Sequence, residues 1–152
     1  PFYLPDNETI LMRAWKRSDI AAGVKPTPMT VFTIKHDGTE LTPRTFDREM
    51  NWAPYPAPDG RHYVYVRIIE NNNWEVFLGD LAGGEPVRLT YNASFDGFPS
   101  LSPDGTKMLF ARSEGKRFMS GLYTWVMDVS SLNLGPENWT GTVPGITPPA
   151  AK

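Results

Sequence analysis

The chain has 152 residues, with 15 basic and 17 acidic side chains and a formal net charge of −2, so no global basic footprint points to nucleic acid as a partner. It contains no cysteine, which excludes disulfides, thiolate metal sites and a cysteine nucleophile. Its 13 Gly and 15 Pro require many turns between short strands, and no apolar stretch approaches the roughly 18 residues of a membrane-spanning helix.

Three segments align in chain order without gaps. They are Pro1-Phe2-Tyr3-Leu4-Pro5-Asp6-Asn7, Pro54-Tyr55-Pro56-Ala57-Pro58-Asp59-Gly60 and Pro99-Ser100-Leu101-Ser102-Pro103-Asp104-Gly105. Each ends in a turn whose proline sets φ for the second position and whose last residue suits the left-handed region, Gly twice and Asn7 once. Asp6, Asp59 and Asp104 are expected to bond their own turns and to hold no ligand. After each turn comes a strand that is apolar in both phases. Ile10, Tyr63 and Met108 fall in one phase with Met12, Tyr65 and Phe110, while Leu11, Val64 and Leu109 fall in the other. Two apolar faces imply a strand covered from both sides.

A third strand follows at Met29–Lys35, Trp74–Asp80 and Leu122–Asp128, and a fourth leads into the next copy. The first copy carries an insertion between Ser18 and Met29, with room for one helical turn at Ser18–Gly23. Four antiparallel strands recurring every 40–50 residues or so predict an all-β fold, the β-propeller, with three four-stranded blades. The boundaries expected are 1–53, 54–98 and 99–143, with 144–152 a tail or linker. Three blades form only part of a propeller, half of a six-bladed ring. The end blades are expected to show apolar faces at Leu11 and Leu109 that need cover. Further blades are expected either from a second copy or from the rest of a longer chain, and a chain opening on Pro1 is expected to be processed or part of something longer.

The pattern Pro-x-x-Ser-Pro-Asp-Gly-x-x-x-x-x-Phe, followed by an apolar strand ending in Asp, then Gly-Gly and Leu-Thr, resembles the TolB-type propeller repeat. The third copy carries its first part, Pro99 to Phe110, and the second carries its latter part, Phe77 to Thr90. The resemblance spans about 140 positions by repeat alignment. The departures are Asn7 for Gly, and Leu4 and Ala57 for Ser. The resemblance implies a periplasmic or secreted location and a role in protein contacts, or else a gating or accessory domain of a larger hydrolase or lyase whose active site is elsewhere.

No serine nucleophile elbow, paired zinc histidines, phosphate-cradling loop or dinucleotide fingerprint occurs, so no catalytic residue, cofactor or metal is expected and the chain is not expected to be an enzyme. His36 and His62 are expected to be ordinary turn histidines. The connections between second and third strands hold Arg13, Lys16, Arg17, Lys25, Arg67, Arg112, Lys116 and Arg117 against Asp19, Glu70, Glu75 and Glu114. Two readings of this excess stay open. A basic rim with Trp15, Trp52, Trp74 and Arg48 could receive a protein partner, an anionic peptide or an anionic glycan. It could equally be a solvated loop face whose tryptophans cap the blade packing. Asn71-Asn72-Asn73 is expected to be a tight turn.

Overall fold

A computed structural model describes residues 1–70, 73–115 and 119–147. Three antiparallel sheets follow one another along the chain. The first contains β1 (Phe2–Tyr3), β2 (Thr9–Trp15), β3 (Met29–Lys35) and β4 (Thr42–Pro43), paired in that order. A single helix, α1 (Arg17–Ala21), fills the insertion between β2 and β3. The second sheet orders β5 (Asn51–Pro56), β6 (His62–Ile68), β7 (Trp74–Asp80) and β8 (Val87–Arg88) in the same way. The third has three strands, β9 (Asp96–Leu101), β10 (Lys107–Ser113) and β11 (Leu122–Asp128). The fourth strand expected there is not formed among the described residues.

The turns explain why each sheet starts as it does. Asn7, Gly60 and Gly105 have φ of 55°, 66° and 69°, and their N–H groups donate to Leu4, Ala57 and Ser102 at 3.0, 3.1 and 2.9 Å. Each turn's Asp accepts following backbone N–H groups, two at Asp6 and at Asp59, where Oδ1 takes those of Arg61 and His62 at 2.9 Å, and one, from Thr106, at Asp104. The outer strands share a second device. The hydroxyls of Thr45 and Thr90 accept the N–H of Val31 and Val76 at 3.0 and 2.9 Å. This extends the pairing beyond the two residues of β4 and β8.

The sheets stack face against face. Leu4, Leu11 and Val31 of the first sheet share one buried cluster with Tyr63, Tyr65, Phe77 and Leu81 of the second. Ala57, Val64 and Val76 on the second sheet's other face share another with Leu101, Met108 and Phe110 of the third. All four central residues of β6, Tyr63 to Val66, are therefore buried. The first strands of neighbouring sheets meet through Phe2–Tyr55 and Trp52–Phe98, with ring centroids 4.7 and 4.9 Å apart, as wedge-shaped blades with that strand innermost require. One expectation is corrected here. Leu11 faces the second sheet and is fully buried, while Leu109, its equivalent in the third, is 45% exposed. Both occupy the phase that looks toward a following blade, and among the described residues no sheet follows the third.

After β11 the chain turns back across the end of the stack that carries the Pro-Asp turns. Two 3-10 turns, Ser130–Leu132 and Pro136–Asn138, lead this strap. Val129 N–H donates to Thr106 O and Asp59 N–H to Leu134 O, at 2.9 and 3.0 Å. Leu134 lies against Gly105, and the Trp139 ring occupies the space a Cβ on Gly60 would need. The strap reaches the stretch expected as a tail or linker, where Arg44 donates to Pro144 O at 3.3 Å and Thr147 N–H to Ala82 O at 2.9 Å. Glycine in the turns thus serves conformation and close approach together.

Burial pushes the Asp59 carboxyl up, but hydrogen bonds from the His62 ring and from the His62 and Arg61 N–H groups outweigh it and hold the group below its ordinary 3.8. A depressed folded value means stabilisation that is complete above the unfolded value and drains away as pH falls through the folded one. Asp59→Asn is expected to lower stability at neutral pH and to flatten its decline below about pH 4. Urea midpoints measured from pH 7 to 2 check this, and a decline as steep as that of the parent chain would contradict it.

Candidate functional site

The site lies at the opposite end of the stack, where the second and third strands of each sheet are joined and where the chain crosses to the next sheet. The crossings carry a repeated network. Arg67 on β6 donates to Asn51 Oδ1 at 3.0 Å and also to Asp47 and to the Tyr65 hydroxyl. Forty-five residues on, Arg112 on β10 donates to both oxygens of Asp96 at 2.9 and 2.6 Å. Asn51 Nδ2 donates to Asp47 Oδ1 at 2.7 Å and Asn92 Nδ2 to Asp96 Oδ1 at 3.0 Å. Asp and Asn have exchanged places between the two copies: Asp47 with Asn51 in one, Asn92 with Asp96 in the other. Each arginine keeps a single carboxylate. Asp96 and Asn51 are fully buried, so this pairing joins the innermost strand to its neighbour and leaves no buried charge uncompensated.

Three arginines of the expected basic rim are paired within the chain. Arg48 pairs with Asp19 at 2.9 Å, and Arg67 and Arg112 are held as described. Arg88, not singled out from the sequence, pairs with the fully buried Glu75 at 2.8 Å. Lys16 and Arg17 remain exposed beside Trp15, which is 44% exposed and has the Arg13 guanidinium over its ring at 4.4 Å. Lys116 and Arg117 lie outside the described residues, as do Asn71 and Asn72 of the expected turn. Trp74, expected as an anchor, is buried edge-on against Trp52, with centroids 6.0 Å apart.

An aromatic ledge lies on the same face. Trp52 is half-buried, and Phe98, 43% exposed, packs against it and against the buried Phe95. Ala53 and Phe98, equivalent positions in β5 and β9, have φ of 46° and 53°, and each stands directly before a proline. A residue before proline favours extended backbone, and the left-handed region costs a non-glycine residue about 1–3 kcal/mol. Both positions sit where the register shifts against the neighbouring strand, and such bulges re-aim side chains. Phe98 follows Gly97, whose lack of a side chain leaves room for the Phe95 ring.

Two cavities flank these features. One, of about 480 Å³, opens on the same face and is lined by Ile69, Glu70, Asn73, Arg88 and Ala93. Asn73 Nδ2 donates to Asn92 O at 2.7 Å, but its buried Oδ1 has no hydrogen-bond partner among the described residues. The other, of about 630 Å³, lies under the strap on the turn face. Lys35 pairs with Asp6 and Glu8, and Arg44 donates to the carbonyls of Leu81 and Pro144 and to Thr33. His62 also sits on that face, with Nδ1 2.6 Å from Asp59 and Nε2 4.0 Å from Asp80, an imidazole–carboxylate grouping not evident in the sequence. Among the described residues no group of three or more His, Asp or Glu is arranged to hold a metal.

This three-sheet arc matches solved structures. A protein assigned as TolB from Agrobacterium tumefaciens superposes with a TM-score of 0.64 at 19% identity, covering 84% of this chain and 41% of that one. TolB from Acinetobacter baumannii superposes at 0.65 and 18% identity, covering 85% of this chain and 29% of that one. The chain has the TolB-type propeller fold. It spans less than half the length of either TolB structure. No family model matches the sequence. No helix among the described residues is long and apolar enough to cross a membrane.

Arg112→Met is expected to cost about 3–5 kcal/mol, because it leaves Asp96 buried without its counter-charge. Lys16→Ala, on the open surface, is expected to change stability by less than about 0.5 kcal/mol. Urea denaturation of both variants checks the contrast, and equal losses would contradict the pairing.

Proposed function

We propose that the chain is a non-catalytic binding scaffold that takes a protein segment on the face carrying Trp15, Trp52 and Phe98. The observation that carries the proposal is Phe98, an exposed aromatic ring presented by backbone in a disfavoured conformation. Strain of that kind is held where the surrounding structure enforces it, and it gathers at ligand contacts. Aromatic side chains set in a polar rim are the usual anchors of protein interfaces. The Asn73 Oδ1, unpartnered among the described residues, supports the same face, since a ligand N–H or O–H entering the adjacent cavity would satisfy it. The TolB-type fold agrees with a scaffold role, and a periplasmic or secreted location goes with it.

The paired arginines refine the ligand chemistry. With Arg48, Arg67 and Arg112 neutralised, a segment with apolar or aromatic side chains suits the ledge better than a uniformly acidic peptide or glycan. Among the described residues, the expected rim cations Lys16, Arg17 and Lys25 remain exposed to an acidic group. Selection of displayed random peptides on the 152-residue chain supplies the probes. The selected peptides are expected to bind Phe98→Ser or Trp52→Ser at least about tenfold more weakly, with Arg17→Ser changing affinity by no more than about threefold. Circular dichroism of each variant checks its fold. Peptides indifferent to both aromatic substitutions would overturn the assignment of this face.

A further inference from the structure

The cavity beside Asn73 lies against the middle sheet, which has a neighbour on either side. Its walls therefore do not depend on what meets the ends of the stack. Ile69 and Ala93 supply apolar wall, and Glu70, Asn73 and Arg88 supply the polar groups. Arg88 is fixed in advance of any ligand. Its Nε–H donates to Thr90 O and its Nη2 to Glu75 Oε1, both at 2.8 Å, and its guanidinium carbon lies 4.3 Å from the centre of the Tyr91 ring. The fully buried Glu75 also accepts from the Thr90 hydroxyl and the Asn92 N–H, both at 2.6 Å. A guanidinium carries five N–H groups, and among the described residues those on Arg88 Nη1 have no acceptor. Asn73 is held too, by its Nδ2 bond to Asn92 O, with Oδ1 left over.

This set is not a requirement of the blade. The first and second sheets align at an offset of 45 residues, as the Thr45–Val31 and Thr90–Val76 bonds show. At that offset Asn73, Glu75 and Arg88 correspond to Pro28, Thr30 and Pro43, and the first sheet forms without them. A buried ion pair is weak evidence of net stabilisation, whereas a buried acceptor without a partner asks for an explanation.

We infer that this cavity takes a neutral carboxamide, the side chain of an Asn or Gln in the bound segment. Asn73 Oδ1 requires a donor and Arg88 Nη1 an acceptor, and a carboxamide carries the two on separate atoms. A carboxylate has no donor for Asn73 and meets the charge of Glu70, while Glu75 already balances Arg88. An ammonium group has no acceptor and meets the charge of Arg88. The inference rests on the reading of this face as the binding face and names a second contact on it. Asn73 directly precedes Trp74, whose ring lies 6.0 Å from that of Trp52, and Trp52 lies 4.9 Å from Phe98. One segment thus reaches the ledge and the cavity together.

Addition of butyramide to the 152-residue chain, followed by nuclear magnetic resonance at the Asn73 side-chain amide and the Ile69 and Ala93 N–H groups, tests the inference. These signals are expected to shift and saturate. Butyrate, which is charged, and methyl butyrate, which keeps the carbonyl but has no N–H, are expected to bind at least about tenfold more weakly. No shift with butyramide, or either analogue binding as tightly, would overturn the inference. Asn73→Ala, checked for fold by circular dichroism, is expected to weaken butyramide at least about fivefold, and unchanged binding would also overturn it. Phe98→Ser is expected to alter butyramide binding by less than about twofold, because the fragment is too small to span to the ledge. A silent butyramide titration beside peptides that depend on Phe98 would overturn the carboxamide site alone. Saturating butyramide shifts beside peptides indifferent to Phe98 would overturn the ledge alone.

Discussion

Burial of the middle sheet from both sides is the constraint on which the other features depend. Tyr63 and Tyr65 enter the interface with the first sheet and Val64 enters the interface with the third, so consecutive residues of β6 are fixed by different neighbours. Removing a large apolar side chain from water contributes about 1.5–3 kcal/mol, and β6 gathers four such residues in sequence. A slip of one residue would exchange the two faces. The Pro-Asp turns set the register that prevents it, since each closes at the same distance from the apolar run. The strap is the third part of the arrangement. It packs Leu134 and Trp139 on the glycines of two of those turns, so the end of the stack is tied to the turns that organise it.

Charge is handled by the same economy. Asp96 and Glu75 are fully buried, and an isolated buried carboxylate is costly. Each is held by one arginine from a neighbouring strand. The exchange of Asp and Asn between positions 47 and 51 and positions 92 and 96 keeps that balance at one carboxylate for each of Arg67 and Arg112. Cations that serve this purpose are spent on the fold and do not contribute to an attractive surface potential. What stays exposed on that face includes aromatic area at Phe98, where an inner strand bulges before its proline.

Much of the architecture was legible in the residues. The third strands run over Met29–Lys35, Trp74–Asp80 and Leu122–Asp128, as the apolar runs indicate, because a buried strand between turns has few alternatives. A one-turn helix forms in the insertion. The outward face of the first blade was not legible. Both phases of β2 are apolar, and only knowledge of which side has a neighbour separates Leu11 from Leu109. That no fourth strand joins the third sheet among the described residues, and the path of the strap, are likewise non-local outcomes, since a Gly- and Pro-rich stretch carries no periodicity to betray its docking.

The candidate site divides in the same way. Trp15, Lys16 and Arg17 lie exposed together because a short helix ends their strand. Arg67 and Asp47 are 20 residues apart in sequence, and composition alone counts them as separate charges. A signal for that pair was present in the repeat itself, as an Asp–Asn exchange at a constant 45-residue offset beside Arg67 and Arg112. The strain at Phe98 has a fainter trace, a large residue before proline following glycine, which does not by itself imply left-handed backbone. The most direct test of the stacked-sheet arrangement is nuclear Overhauser contact between methyl and aromatic protons. The Leu11 methyls are expected to show contacts to the Tyr63, Tyr65 or Phe77 rings, and the Val64 methyls to the Phe110 ring but not to the two tyrosines across the sheet. Val64 contacts confined to residues of the first sheet would contradict the order of the sheets and the account built on it.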